Sequence, residues 1–174
     1  MKYFLIESDA SLINKPELIN WYKIIDKKSI DDGKYNKLDD KTAVYIKSNK
    51  DTVFYDVVTS PIFIVKKELK ELISLFEPNL GYKQLILVDK DNSQMEQYYI
   101  PELLRIDCLD KSTIYNIDKS VIKEGVIDTS KLLDKAIFRI KNIQTTNIVV
   151  RMDLLEAMLK RDYRGFTVRE LKKV

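Results

Sequence analysis

The chain has no histidine among its 174 residues. That removes the commonest general base and the commonest metal ligand together. Ser-His-Asp and Cys-His nucleophilic devices are excluded. One cysteine, Cys108, excludes an internal disulfide and leaves no Cys/His cluster for zinc. Cys108 sits between Asp107 and Asp110 and beside Leu109, neighbours that raise a thiol pKa, so it reads as a small buried hydrophobe. The four glycines stand apart, so there is no phosphate-cradling loop. No apolar run approaches the ~18 residues of a membrane span. The run Tyr3–Ile6 stops at Glu7, short of the ~7–15 residues of a signal-peptide core. The cytoplasm is the simplest location, although an injected or unconventionally exported protein would read the same.

Charge of one sign is also lacking. Thirty basic residues meet 27 acidic ones, for a net charge of +3. The surplus lies in Arg151–Val174, with seven basic and four acidic residues. A nucleic-acid-binding domain usually carries a far stronger basic stripe. Here Asp153, Glu156, Asp162 and Glu170 interleave with the cations, so nucleic acid is disfavoured as a partner. Carboxylates are plentiful, but no pair is singled out for glycosidase-like chemistry. The run Asp89-Lys90-Asp91-Asn92-Ser93 lacks the Gly and Glu of a calcium loop and reads as a turn. No catalytic residue, metal site or cofactor site is expected.

What is present is an ordinary globular composition, 45% hydrophobic and 33% charged. A chain of this length buries about two thirds of its unfolded surface without needing disulfides or metal. Residues 1–174 read as one domain. Two segments have clear helical period. Leu69, Leu72, Ile73 and Phe76 share one face over Lys66–Phe76, and Leu154, Leu155, Met158 and Leu159 share one over Arg151–Arg161. A short helix is expected over Pro16–Ile25, capped by Asn14. The charge-dense stretch 26–41 around Gly33 is expected to be a mobile surface loop. Thr42–Lys47 and Thr52–Val58 read as a hairpin across Ser48–Asp51. Further strands are expected at Tyr3–Ile6, Ile62–Val65, Tyr82–Asp89, Gln97–Ile100, Leu103–Cys108, Thr113–Ile117, Ala136–Ile140, Asn147–Val150 and Phe166–Leu171. A single helical turn is expected near Ser130–Asp134.

The two clear helices belong to a weak internal repeat. Ile64-Val65-Lys66-Lys67-Glu68-Leu69 and Val149-Val150-Arg151-Met152-Asp153-Leu154 both run strand, basic, acidic, Leu, helix. Gly81-Tyr82 and Gly165-Phe166 follow them. The spacing of about 85 residues is too long for a solenoid array. The fold class expected is therefore α+β, a mixed and mostly antiparallel sheet with two strand-helix-strand units and amphipathic helices packed on it. The ten tyrosines, with Tyr98, Tyr99 and Tyr115 on candidate strands, suit a protein interface, where Tyr adds contact area at little entropic cost.

Several segments, taken in order, resemble a bacterial immunity-protein family of polymorphic toxin systems. They are Tyr55-Asp56-Val57, Ser60-Pro61-Ile62-Phe63-Ile64-Val65 with its helix, Asp107-Cys108-Leu109-Asp110, Ala136-Ile137-Phe138-Arg139, and Ile148-Val149-Val150 through Gly165-Phe166. The resemblance covers residues 53–172. The sequence departs from the pattern at Lys66 and Arg151, where such proteins often carry a helix-capping Ser. The resemblance implies an immunity protein that binds and neutralises a cognate protein toxin and catalyses nothing itself. It carries over no partner-binding residues. Asp107, Asp110 and Arg139 read as structural motif residues, with Arg139 expected to pair with one of those carboxylates. The alternative is a nucleic-acid-associated or regulatory protein using the basic C-terminal segment, and a small hydrolase with an all-carboxylate site is a third reading. Membrane is not expected as a partner, and homo-oligomerisation is left open.

Overall fold

The computed structural model describes residues 1–145 and 147–174. The strands are β1 (Tyr3–Ser8), β2 (Glu17–Leu18), β3 (Lys41–Lys47), β4 (Val57–Val58), β5 (Ile64–Lys66), β6 (Tyr82–Asp89), β7 (Gln94–Pro101), β8 (Arg105–Ile106), β9 (Ile114–Tyr115), β10 (Ile122–Glu124), β11 (Val126–Ile127), β12 (Ile137–Ile140), β13 (Ile148–Arg151), β14 (Phe166–Glu170) and β15 (Lys172–Lys173). The helices are α1 (Lys27–Asp31), α2 (Lys67–Phe76) and α3 (Met152–Lys160). Pairing is mostly antiparallel and falls into two main sheets. The first has the order β2-β3-β6-β7-β5-β4, the second β14-β1-β13-β12-β8.

The repeat seen in the sequence is a repeat of topology. In one copy β5 and β6 flank β7, which is antiparallel to both. In the other β13 and β14 flank β1, again antiparallel to both. Each unit is a strand, a helix and a strand lying parallel to the first, with a third strand inserted between them. The fourth strands match as well, since β4 borders β5 and β12 borders β13. Both helices start without a side-chain cap, from extended Lys66 and Arg151, whose amides bond to Asp56 O and Ala136 O at 2.9 and 2.8 Å. Their apolar faces meet in one core, where Leu69, Leu72 and Ile73 join Leu154, Leu155 and Met158 over Val57, Val65, Ile137 and Val150. Amphipathic spacing therefore places each helix, and burial in this shared core holds both units together.

Two expectations are corrected. Pro16–Ile25 is not a helix. Leu18 pairs with Ile46, and Asn20 takes a left-handed conformation (φ 50°) before a 3-10 turn at Trp21–Lys23. The apolar spacing there serves ladder pairing and a wall against the core. Thr42–Lys47 and Thr52–Val58 form no hairpin, because β3 is sandwiched between β2 and a parallel β6. The charged stretch 26–41 holds α1 and a 3-10 turn at Tyr35–Lys37, anchored by buried Ile30 and Tyr35. The helical turn near residue 130 is a 3-10 turn at Thr129–Lys131.

Candidate functional site

Arg139 lies on β12, whose four residues are all buried, and is itself 6% exposed. Phe138 and Ile140 point into the same core cluster as Cys108. Arg139, one residue out of phase, faces the other side of the sheet. It therefore cannot meet the Asp107–Asp110 segment, and the expected pairing is corrected. Its Nη1 donates to Asp31 Oδ1 at 3.4 Å and to Asn147 Oδ1 at 3.2 Å. Asp31 also accepts from Lys27 Nζ at 2.6 Å, and Asn147 donates to Ile143 O at 2.6 Å. Arg139 Nε is buried with no partner among the described residues. Asp107 is exposed. Asp110 accepts from the amide and hydroxyl of Ser112, at 2.9 and 2.6 Å, which hold its carboxyl below its usual range. Asp110 opens a turn, its carbonyl accepting from the Thr113 amide at 3.0 Å, and Asp107 lies between β8 and the bridge residue Leu109. Burial pushes the Cys108 thiol up to about 11, which leaves it protonated at neutral pH.

Around Arg139 opens a cleft of about 310 Å³, walled by Ser8, Trp21, Asp31, Thr59, Pro61 and Asn147. That volume is at the lower end of the ~300–1,000 Å³ of ligand pockets. Two cations, Lys27 and Arg139, share the one carboxylate of Asp31, so one positive charge is in excess. The hydroxyls of Ser8 and Thr59 lie 2.6 Å apart and link β1 to the loop before β5. The cleft's polar groups thus mainly fasten elements of the two sheets to each other, and its chemistry suits a small anion.

The basic C-terminal segment is largely neutralised. Arg151 pairs with Asp134 and Asp153, Arg164 with Asp162, Arg169 with Glu7 and Lys172 with Glu124. Phosphates would have to compete with these carboxylates. Asp153 also accepts from the Leu154 amide, and with the Arg151 guanidinium beside it its carboxyl is held below the ordinary range. The pair supplies at the start of α3 the acceptor that a capping Ser would provide.

Of the three tyrosines read as interface candidates, Tyr98 is fully buried and donates to Tyr55 O at 2.7 Å. It is a core residue. Tyr115 is half-buried against the second core cluster. Tyr99 is half-buried at the edge of α2, with Lys70 Nζ 4.5 Å above its ring. Beyond that edge the sheet face is open, and the sequence did not signal it. Its rows, read across the register, are Lys41–Gln84–Tyr99, Ala43–Ile86–Gln97 and Tyr45–Val88–Met95. Among the described residues, no group of three acidic or Cys side chains could hold a metal ion, and no helix is long and apolar enough to cross a membrane.

Compared with models of known families, residues 5–173 match that described as the Immunity protein family (Imm11). The match begins at β1, earlier than the motifs at 53–172, as expected if β1 is the inserted central strand of the second unit. No curated protein matches the chain.

Proposed function

Because the chain belongs to the immunity protein family Imm11, we propose that it protects its producer by binding a cognate protein toxin and blocking it, without catalysis of its own. The observation that carries this is the family match, which spans both strand-helix-strand units rather than one motif. Two features of the molecule agree with a binding role. The chain has no histidine, and its lone thiol is buried and held protonated. It also presents a broad uncovered sheet face. The protein acts in the cytoplasm, where it meets a toxin delivered by a sister cell or made in the same one.

The test is survival. The toxin encoded beside this gene is expressed in a laboratory bacterium with and without the chain, and colonies are counted. Restored growth is the expected result. Killing that continues regardless, at confirmed expression of the chain, overturns the reading.

A further inference from the structure

We propose that the uncovered face of the first sheet is the surface that engages the toxin, and that it receives an acidic patch of that protein. The inference rests on the immunity reading. Its origin lies in the mismatch between the two units. A helix is ~10 Å wide and covers about two strands spaced ~4.8 Å apart. α2 packs on β5 and β7. The first sheet continues past them through β6, β3 and β2, whereas in the second sheet the matching position ends at the edge strand β14. The added strands have a buried side, with Val44, Ile46, Leu85 and Leu87 in a core cluster. Among the described residues, no layer covers their other side.

That side is apolar at its centre. Ile86 and Val88 are half-buried, Tyr45 is 45% exposed and Met95 72% exposed. Ile19, 40% exposed, extends the Tyr45–Val88–Met95 row through its amide bond to Tyr45 O at 2.8 Å. Three rows ~6.8 Å apart across the three strands β3, β6 and β7 make a floor of about 300 Å² in plan, to which Ile19 adds at one row. The floor would form the centre of an interface, with the Lys70 flank of α2 adding toward the ~800 Å² per partner of a stable complex.

Charge complementarity selects the occupant. Lys41 and Lys47 lie on the face itself, Lys90 stands 3.9 Å over the Tyr45 ring, and Lys70 stands over Tyr82 and Tyr99. None of these four lysines is in an ion pair among the described residues. The nearby acids are Glu17, opposite Lys47, Asp91 in the β6–β7 turn, and Asp39 and Asp40 just before Lys41, of which Asp40 is engaged by Lys83 at 2.6 Å. A second copy placed face to face would oppose lysine to lysine, which disfavours a homodimer here. Nucleic acid binds a sheet by stacking bases on aromatic rings. Here lysines already cover the rings of Tyr45, Tyr82 and Tyr99, and the centre is aliphatic. An acidic protein surface with an apolar middle fits both the floor and its rim.

The test uses the full chain and the purified toxin from the gene beside its own. Three variants are titrated by calorimetry: Lys41→Glu/Lys90→Glu, Met95→Glu, and the near-isosteric Gln97→Glu, which adds a like charge with little change of shape. Leu133→Glu, at an exposed site off this face, is the control. Each variant's melting curve is recorded first. The proposal expects folded face variants to bind about 30-fold or more weakly, as for a hot-spot loss, and the control to bind as wild type. It expects the double lysine variant to lose most of the salt dependence of association as well. Wild-type binding by folded face variants, while the unmodified chain still binds and protects, overturns the proposal and leaves the immunity reading standing. A chain that neither binds nor protects removes both. If the face variants instead lose affinity for a generic single-stranded RNA and keep toxin binding, the face belongs to nucleic acid and the proposal falls.

Discussion

Replacing Arg139 by Ala separates the pairing observed from the one its sequence neighbours suggest. The guanidinium is 6% exposed and touches Asp31 and Asn147. Its loss strips a donor from buried Asn147 and opens a void in the wall between the sheets. Removing one partner of a buried pair costs ~3–5 kcal/mol. Asp31 is one-third exposed and keeps Lys27 at 2.6 Å, which puts the expected cost near the lower figure. For a chain of this length, ~3 kcal/mol lowers Tm by ~6–12 °C. Asp31→Asn strands the buried cation and should cost about as much. Arg139→Met keeps the volume and removes the buried unpartnered Nε but leaves the Asn147 acceptor without this donor, so it should cost less than Arg139→Ala, about 1–3 kcal/mol. Thermal and urea melts of the single and double variants complete the cycle. Arg139→Ala and Asp31→Asn should couple by at least ~1 kcal/mol, and Arg139→Ala and Asp107→Asn should be additive. An unchanged Tm for Arg139→Ala, or coupling to Asp107 in place of Asp31, would refute the reasoning.

Three further outcomes are expected. Gly165 has φ +117°, and a Cβ there would lie 2.0 Å from Val57 O, so Gly165→Ala should cost more than ~3 kcal/mol or prevent folding, read by circular dichroism. Asp9, Asp110, Asp118 and Asp128 each accept from a Ser two residues on, and these bonds hold their carboxyls below the usual range. Because the folded pKa is the lower one, this stabilisation is present above about pH 4 and is lost as pH falls through the folded values. Urea midpoints should therefore drop below pH 4, and Ser112→Ala with Ser120→Ala should flatten that drop. Cys108 is buried, with its thiol pushed up to about 11, so a thiol reagent at pH 8 should modify it only at the rate of unfolding. Fast modification of the native chain would contradict the burial.

What was legible in the sequence depended on range. α2 and α3 were readable because their apolar period repeats within a dozen residues and nothing distant alters it. The repeat was readable for the same reason. That each unit takes an inserted strand was not, because β7 follows its unit in the chain and β1 precedes its own by far. The hairpin after β3 was misread because local turn composition at residues 48–51 says nothing of a parallel partner in β6. The sequence singles out Arg139 within Ile137-Phe138-Arg139, but the partner it meets lies 108 positions away. Only the phase of β12 hinted that it faces away from Cys108. The open face was hidden because Leu85-Ile86-Leu87-Val88 is apolar on both sides, the pattern of a strand covered twice. Which side lacks its cover is settled by how far one helix reaches.

The central claim, neutralisation by binding, is tested most directly by titrating the purified toxin's activity with the purified chain. The account predicts activity that falls linearly and vanishes at a fixed stoichiometric ratio, independent of incubation time once binding is complete. Activity that survives saturating chain, or that disappears progressively at a small fraction of the toxin's concentration as turnover would cause, would contradict it.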